Sequence, residues 1–527
     1  MSLKQLLNTL SRSSAQAVST LGNAGSNTVK EYLYIKTNIE IAFQKAIEQA
    51  NSREKIIFLC GSSGDGKSEI LTRYYHMHKE KLDFHLDATH SFQPDMTAIE
   101  TLDHTFKCHK EGKKPLIVGI NIGMLGNYAE EGSEEHSNIK QSIKAFLKND
   151  FDHIYTNHIF LNFEDYPKFE PDNDQIIAPF IESLLLKLTV ASDDNPFYQA
   201  WKQEEGANTT LHVNYRLLLY PEVQQVIIRT LLKVRLKYDQ FLTARTLLDF
   251  VYNLLSGPGY LFDNLFTDKN TELAKALTHF DPCTIRSKDI DLFMIQNSLN
   301  ITDEKFEAFR SDVSQLILVE KMETGSWIRF FHMIQELEIS NNYHARFNSA
   351  FQNQLYDEYV KIWLLHLNYS GQSSENKELE KFYSKCFLEA LFRFANRFAP
   401  ELTSKSQLFL AEYNGYQVST AVDVEANLQR IVQHKPLRLS HFNAVLELNY
   451  EEDLPPVPIS ASFLDLILKI NSGYRPNKHD KNNIVILEEL IEDITRRVQE
   501  SKKLHIHKDQ DEWTLINRGH QIKVKGQ

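Results

Sequence analysis

Two hydrophobic patterns follow one another along the chain. Up to about residue 170, short apolar runs alternate with segments of helical spacing, and beyond residue 196 the helical spacing dominates. Strands that alternate with helices predict a parallel sheet with crossover helices. Apolar residues that repeat with the helical period predict amphipathic helices packed on one another. We therefore expect an α/β core followed by helical regions.

Four segments have the composition of strands. Residues 56–60 are apolar throughout, as is typical of a strand buried on both faces. Three further candidates follow at 83–87, 115–121 and 158–163. The candidate at 115–121 is the most apolar of the three, so we expect it to lie beside the strand at 56–60.

A glycine-rich segment separates the first strand from a helical segment. Residues 61–68 satisfy the pattern GxxxxGK[ST], whose glycines let backbone amides approach an anion at the start of a helix. In this pattern Lys67 reaches the β and γ phosphates and the Ser68 hydroxyl joins the Mg2+ shell. We predict a site for ATP and Mg2+. The residues expected to contact the nucleotide are Gly61, Ser62, Ser63, Gly64, Asp65, Gly66, Lys67, Ser68 and Glu69.

Hydrolysis also needs an acidic residue at the tip of a neighbouring strand, and here the sequence leaves alternatives open. Asp87 follows the first helix and is a candidate both for catalysis and for binding Mg2+. Glu164 ends the last candidate strand and is the other acidic candidate. Asn121 ends the most apolar strand, where it can position water or sense the γ-phosphate but cannot act as a general base.

The helical segment that follows the core is similar to the lid of AAA+ ATPases. Such lids often carry an arginine at a helix start that contacts the γ-phosphate. Arg245 has this position, with Thr243 as the expected N-cap, and Arg286 is an alternative. The predicted architecture is a P-loop NTPase core with a parallel sheet, a helical lid and a large, mostly α-helical C-terminal region. Its segments are an N-terminal helical lead-in (1–50), the core (51–191), the lid-like domain (197–300) and a C-terminal domain with a basic tail (301–527).

Charge and cysteine content limit the classes of function that the protein can have. A formal net charge of -12 argues against coating of nucleic acid by bulk electrostatics. The tail from residue 496 onward is nevertheless basic, with eight Lys and Arg against four acidic residues, and it alternates as strands do. The dispersed cysteines form no CxxC pair, and no apolar run is long enough for a membrane span. We expect a cytoplasmic protein.

The order and spacing of several short motifs resemble the DptF family of DNA phosphorothioation-dependent restriction proteins. The resemblance extends from about residue 55 to 480. It implies an ATP-binding component of a bacterial antiphage restriction complex that acts with DptG- and DptH-like partners and reaches DNA through that complex. The matching segments are 60–69, 87–89 with Pro94, 119–125, 162–165, 195–198 and 473–477.

Three functions fit these observations. The first is an ATPase that drives or gates a DNA restriction complex. The second is a signalling or scaffold protein that binds ATP but hydrolyses it poorly, which the lack of a clear catalytic carboxylate favours. The third, a small-molecule kinase that uses Asp87, is weakened by the length of the helical extension.

Overall fold

The structure is a computed structural model that describes residues 1–11, 28–88, 96–204, 207, 209–352, 354–449, 452–498, 503–508, 511–517 and 521–526. Thr89 and Pro94, which contribute to the family resemblance, lie outside these residues. The chain divides into two compact units. The first comprises 1–170, 178–232 and 240–351, and the second 171–177, 233–239 and 352–527. Residues 301–351, which the sequence analysis groups with the C-terminal domain, thus belong to the first unit.

A parallel four-stranded sheet is the centre of the first unit. Its strands are β1 (Ile56–Gly61), β2 (Asp83–His85), β3 (Leu116–Asn121) and β4 (His158–Asn162), in the order β2-β3-β1-β4. The prediction that the strand at 115–121 lies beside β1 is confirmed. In the register of these strands, Gly61 pairs with Asn121 and Cys60 with Asn162, so three strands end at the same edge.

Helices surround this sheet and continue beyond it. Those of the sheet region are α1 (Leu3–Leu7), α2 (Thr28–Leu33), α3 (Asn38–Glu48), α4 (Lys67–His78), α5 (Ala98–Glu111), α6 (Ile122–Glu131), α7 (Ser137–Leu147) and α8 (Pro179–Thr189). The helical region continues with α9 (Pro196–Gln203), α10 (Thr210–Leu218), α11 (Pro221–Tyr238), α12 (Ala244–Ser256), α13 (Leu261–Thr267), α14 (Glu272–Thr278), α15 (Lys288–Ser298), α16 (Glu304–Val313), α17 (Thr324–Met333) and α18 (Asn348–Phe351).

Strand β1 is buried on both faces, as its composition predicts. Ile56, Phe58 and Cys60 pack in a cluster with apolar residues of α5, α6 and α7. Ile57 and Leu59 point to the other face, where α3 and α4 cover the sheet. Because successive strand residues alternate between faces, one continuous apolar run supplies both cores.

Gly119 in β3 allows helix α4 to approach the sheet. A Cβ at this position would lie 2.3 Å from Leu71 Cδ1 and 2.6 Å from the backbone oxygen of Leu86. We expect Gly119→Ala to lower the free energy of unfolding by about 1–3 kcal/mol through overpacking. Urea denaturation measures this change. Gly126→Ala, in α6 where no atom lies within 4 Å of the added Cβ, is the control and should be neutral or stabilising.

The second unit contains helices and most of the antiparallel strands among the described residues. The helices are α19 (Gln354–Asn368), α20 (Ser373–Phe382), a π-helical stretch (Tyr383–Leu388), α21 (Glu389–Ala395), α22 (Ala461–Asn471) and α23 (Lys481–Val498), besides the end of α11. The strands are β5 (Glu170–Asp172), β6 (Gln175–Ile177), β7 (Gln407–Tyr413), β8 (Tyr416–Ala421), β9 (Val424–Ala426), β10 (Phe442–Ala444), β11 (Leu446–Leu448), β12 (Glu452–Asp453), β13 (Val457–Ile459), β14 (Lys503–Lys508), β15 (Asp511–Asn517) and β16 (Ile522–Gly526).

Strands interrupt the helices in two places. Residues 175–177 form β6, so α8 begins only at Pro179, which occupies its first turn. The C-terminal domain (301–527) is predicted to be mostly helical, but β7 and β8 form a hairpin within it. Its turn is Asn414-Gly415, and both residues have positive φ. An Asn-Gly pair between two strands is the strongest short-range sequence signal for a hairpin.

The strand prediction for the basic tail is confirmed. Strands β14, β15 and β16 join β8 and β7 in a five-stranded antiparallel sheet with the order β16-β15-β14-β8-β7. His505 and His507 are buried in β14, whereas Ile522 and Val524 in the edge strand β16 are exposed. The two histidines are therefore packed strand side chains.

Candidate functional site

The glycine loop, residues Gly61–Ser68, lies at the carboxyl edge of the parallel sheet. Strand β1 ends at Gly61 and helix α4 begins at Lys67. Gly64 and Gly66 have φ values of 89° and 103°, which L side chains rarely adopt. Residues 62–64 are exposed. The strand, loop and helix thus have the order that the sequence predicts, and the loop faces solvent.

Polar groups of the loop contact one another. The Lys67 ammonium donates to the carbonyl oxygens of Gly61 at 3.0 Å and of Ser62 at 2.5 Å. The Ser62 N–H donates to Asp65 Oδ2 at 2.5 Å. Asp65 is only 4% exposed, so its carboxylate lies inside the loop and not on the surface.

Charged groups in and near the loop also shift one another's pKa. Burial lowers the pKa of Lys67, while the carboxylates of Asp65 and Asp87 act in the opposite direction. Burial raises the pKa of Asp65, which Lys67 and Lys168 counteract and Glu164 reinforces. The electrostatic surroundings of the loop therefore include both acidic candidates of the sequence analysis and a second lysine.

The polar residues at the strand ends differ in their hydrogen-bond partners and in their exposure. Asn121 caps helix α6, since its Oδ1 accepts the N–H of Met124 at 2.6 Å. Glu164 lies in a 3-10 turn after β4, where the Asn162 side chain accepts its N–H. Asp87 is exposed two residues beyond β2. All three candidates lie at the edge of the sheet that carries the glycine loop.

The turn that holds Glu164 lies against the base of the loop. A Cβ placed on Gly61 would be 3.0 Å from Phe163 Cβ, and Phe163 is the first residue of that turn. A side chain at position 61 would crowd Phe163. The Phe163 side chain, which directly precedes Glu164, therefore lies close to the end of β1.

Helix α12 docks on the apex of the loop. The Arg245 N–H donates to the Gly64 carbonyl at 3.0 Å, and a Cβ on Gly64 would be 2.9 Å from Arg245 Cβ. Thr243 is the N-cap, as predicted, and its hydroxyl accepts the N–H of Thr246. The Arg245 guanidinium donates to the carbonyl of Ser11 at 2.8 Å. Arg245 thus contacts the loop through its backbone, while its side chain reaches the N-terminal segment.

Ser68 and Glu69 occupy the first turn of α4. Ser68 is partly exposed. Glu69 forms ion pairs with Lys30 and Arg73, both at 2.9 Å, and Arg73 also pairs with Glu31 of α2. The carboxylate of Glu69 is therefore held in a network between α4 and α2. Arg286, the alternative to Arg245, is largely exposed and lies near Asp291.

Lys168 is the site residue that the sequence analysis did not identify. It follows β4, its Nζ lies 4.3 Å from the centre of the Phe180 ring, and burial lowers its pKa. The carboxylate of Asp65 counteracts this effect. No motif links Lys67 to a lysine 101 positions later in the chain. Only a prediction of the strand order could have placed Lys168 near the loop.

The chain matches no protein-family model, no curated protein and no solved structure. Among the described residues, none of the helices combines the length and the apolar character that crossing a membrane requires. The described residues also contain no cluster of three or more His, Cys, Asp or Glu side chains arranged to hold a metal ion.

Proposed function

We propose that the glycine loop is a P-loop that binds ATP with Mg2+. One observation carries this proposal: a GxxxxGK[ST] segment joins a buried parallel strand to a 12-residue helix, with glycines at positive φ in the loop. Backbone amides in such a loop and the positive end of the helix dipole favour an anion. A lysine at position 67 supplies the charge that the β and γ phosphates require.

The residues present fit a magnesium nucleotide. Mg2+ is usually held by one or two protein oxygens together with phosphates and water, so it does not need a dedicated cluster of carboxylates. Ser68, in the first turn of α4, and Asp87, at the same edge of the sheet, would be its ligands. When bound, the ion neutralises charge that develops on the transferred phosphoryl group.

We further propose that the chain hydrolyses ATP as a subunit of a DNA phosphorothioation-dependent restriction complex in the cytoplasm. The family resemblance supports this assignment, and with it DptG- and DptH-like partners and an indirect contact with DNA. Helix α12 would close on the triphosphate when ATP binds and open again after hydrolysis. This movement would change the surface that contacts those partners.

Calorimetric titration with Mg-ATP tests the binding proposal. We expect saturable binding, and phosphate release that changes when unmodified or phosphorothioate DNA and the partner subunits are added. No heat of binding up to millimolar ATP would refute the P-loop assignment. Binding without hydrolysis under every condition would refute only the ATPase proposal.

A nucleotide-dependent scaffold with little hydrolysis is the second candidate. Two contacts favour it: the Asn121 side-chain oxygen is engaged as a helix cap, and the Arg245 guanidinium is bonded to Ser11. Each of these two groups already has a partner within the protein. Slow turnover that the DNA and the partner subunits do not accelerate supports this candidate.

Asp87 and Glu164 are separated by their conservative variants. We expect Asp87→Asn to lower ATP turnover about 100-fold, because its carboxylate would be a ligand of Mg2+ and a neutral amide binds the ion more weakly. Glu164→Gln should lower turnover less than about tenfold, because Glu164 would not hold the ion. Phosphate release at saturating ATP measures both. The reverse order of effects would assign the catalytic role to Glu164.

A further inference from the structure

Strand β16 (Ile522–Gly526) forms an open edge of the five-stranded antiparallel sheet. It pairs with β15 on one side, and no described strand pairs with it on the other. All of its residues are exposed. Every second residue of such an edge strand directs its N–H and C=O away from the sheet, where another strand can pair with them. The backbone of β16 can therefore accept a sixth strand.

One side of this edge is apolar. Ile522 and Val524 are 71% and 59% exposed. Because paired residues of antiparallel strands share a face, Val524 lies in one row with Leu515 and Leu504, which are half-buried. The half-buried Trp513 belongs to the next row of the same face. An apolar side chain beside Val524 would extend this face and remove apolar surface from water.

The other side of the edge is basic. Side chains alternate along a strand, so Lys523 and Lys525 lie on the opposite face from Val524. Lys523 shares its row with Lys503, two strands away. Glu512, on this face of β15, pairs with Lys405 at 2.9 Å. Neither Lys523 nor Lys525 forms an ion pair with another residue that the structure describes.

These three features favour one kind of occupant. An antiparallel pair of two β16 strands would continue each face of the sheet and place lysines beside lysines, which destabilises the pair. A nucleic acid would bind the lysines but leave the apolar side chains and the open backbone groups without partners. An extended segment with alternating acidic and apolar residues satisfies the backbone, the lysines and the apolar side chains together.

We propose that β16 binds an extended segment of another protein, in which acidic and apolar residues alternate, as a sixth strand of the sheet. Main-chain hydrogen bonds supply affinity in this kind of recognition, and the alternating side chains supply specificity. Strand β16 belongs to the second unit and the glycine loop to the first, so this docking edge goes beyond the proposed ATP site and does not depend on it.

Synthetic peptides test the proposal on the full-length chain. The probe is a fluorescent peptide of about seven residues in which Glu and Val alternate, as long as a typical strand. We expect saturable binding, measured by fluorescence anisotropy, with a Kd below about 100 μM. A peptide that alternates Lys and Val has the same apolar content, and it should bind at least about tenfold more weakly. A fully N-methylated Glu-Val peptide keeps the charges but lacks the N–H donors, so it should not bind.

A charge reversal on the strand tests the same contacts from the protein side. The double variant Lys523→Glu, Lys525→Glu should prefer the Lys-Val peptide over the Glu-Val peptide. The matched control is Lys377→Glu, Lys381→Glu, because these two lysines are exposed on helix α20 of the same unit. It should keep the preference of the wild type. Circular dichroism checks that each variant is folded.

A preference that reverses with the charges of β16 supports the docking edge. No binding of the Glu-Val peptide, or an unchanged preference in the folded β16 variant, overturns it. Equal binding of the N-methylated peptide would show attraction by charge alone, and displacement of the peptide by single-stranded oligothymidine would assign the lysines to nucleic acid. Dimers in sedimentation that Val524→Asp abolishes would assign the edge to a second copy. Each of these three results also overturns the proposal.

Discussion

Replacing Lys67 with alanine is expected to weaken binding of Mg-ATP at least about 100-fold, which corresponds to about 2.8 kcal/mol of binding free energy. The ammonium group is positioned on the loop by the carbonyls of Gly61 and Ser62. A triphosphate would add hydrogen bonds in which both the ammonium donor and the phosphate acceptor are ionised. Calorimetric titration with Mg-ATP measures the loss.

The control for this prediction lies on the same helix. Lys79 is the C-cap of α4 and is exposed, far along the helix from the loop. Lys79→Ala removes the same charge and should leave the Kd unchanged. The midpoint of thermal unfolding should stay close to that of the wild type for both variants. Undiminished affinity in folded Lys67→Ala would contradict the role of the lysine.

Replacing Arg329 with methionine is expected to destabilise the first unit by about 3–5 kcal/mol. Its guanidinium lies between two carboxylates, at 2.9 Å from Asp263 Oδ1 and 2.7 Å from Asp281 Oδ2. All three side chains are at most 16% exposed. Loss of the arginine leaves two buried carboxylates without their shared cation, which is much costlier than loss of a surface pair.

Urea denaturation measures this effect, and the exposed pair Arg229–Glu336 is the control. Arg229→Met should cost less than about 1 kcal/mol. Burial already raises the pKa of Asp263, and removal of Arg329 raises it further. A carboxyl with a raised pKa in the folded state binds a proton more readily than in the unfolded state, so the deficit should shrink as the pH falls from 7 towards 5. Equal losses in the two variants would contradict a buried network.

Elements with a strong local signal were predictable. The run at 56–60, the glycines after it and the helix that follows are encoded in neighbouring residues, and β1, the loop and α4 agree with that prediction. The N-cap at Thr243 is similarly local. The β7–β8 hairpin also has a local signal in Asn414-Gly415, although this pair lies in a region whose composition favours helix.

The contacts of the candidate site were less predictable because they join residues far apart in the chain. Arg245 meets both Gly64 and Ser11, and neither spacing carries a sequence pattern. Glu69 belongs to an ion-pair network with α2, although it directly follows the motif. Composition specifies which residues can bind an ion or a phosphate. It does not specify which residues they contact in the folded protein.

The amino-acid sequence by itself determined the glycine loop and the elements that flank it, because apolar runs, positive φ at glycine and helix starts are local properties of the backbone. Only the tertiary structure decided what surrounds the loop. The strand order brings Asp87, Asn121 and Glu164 to one edge, and packing buries Asp65 against the Ser62 amide. Strand order and helix docking depend on how distant apolar surfaces fit together, and this fit has no short-range signature in the sequence.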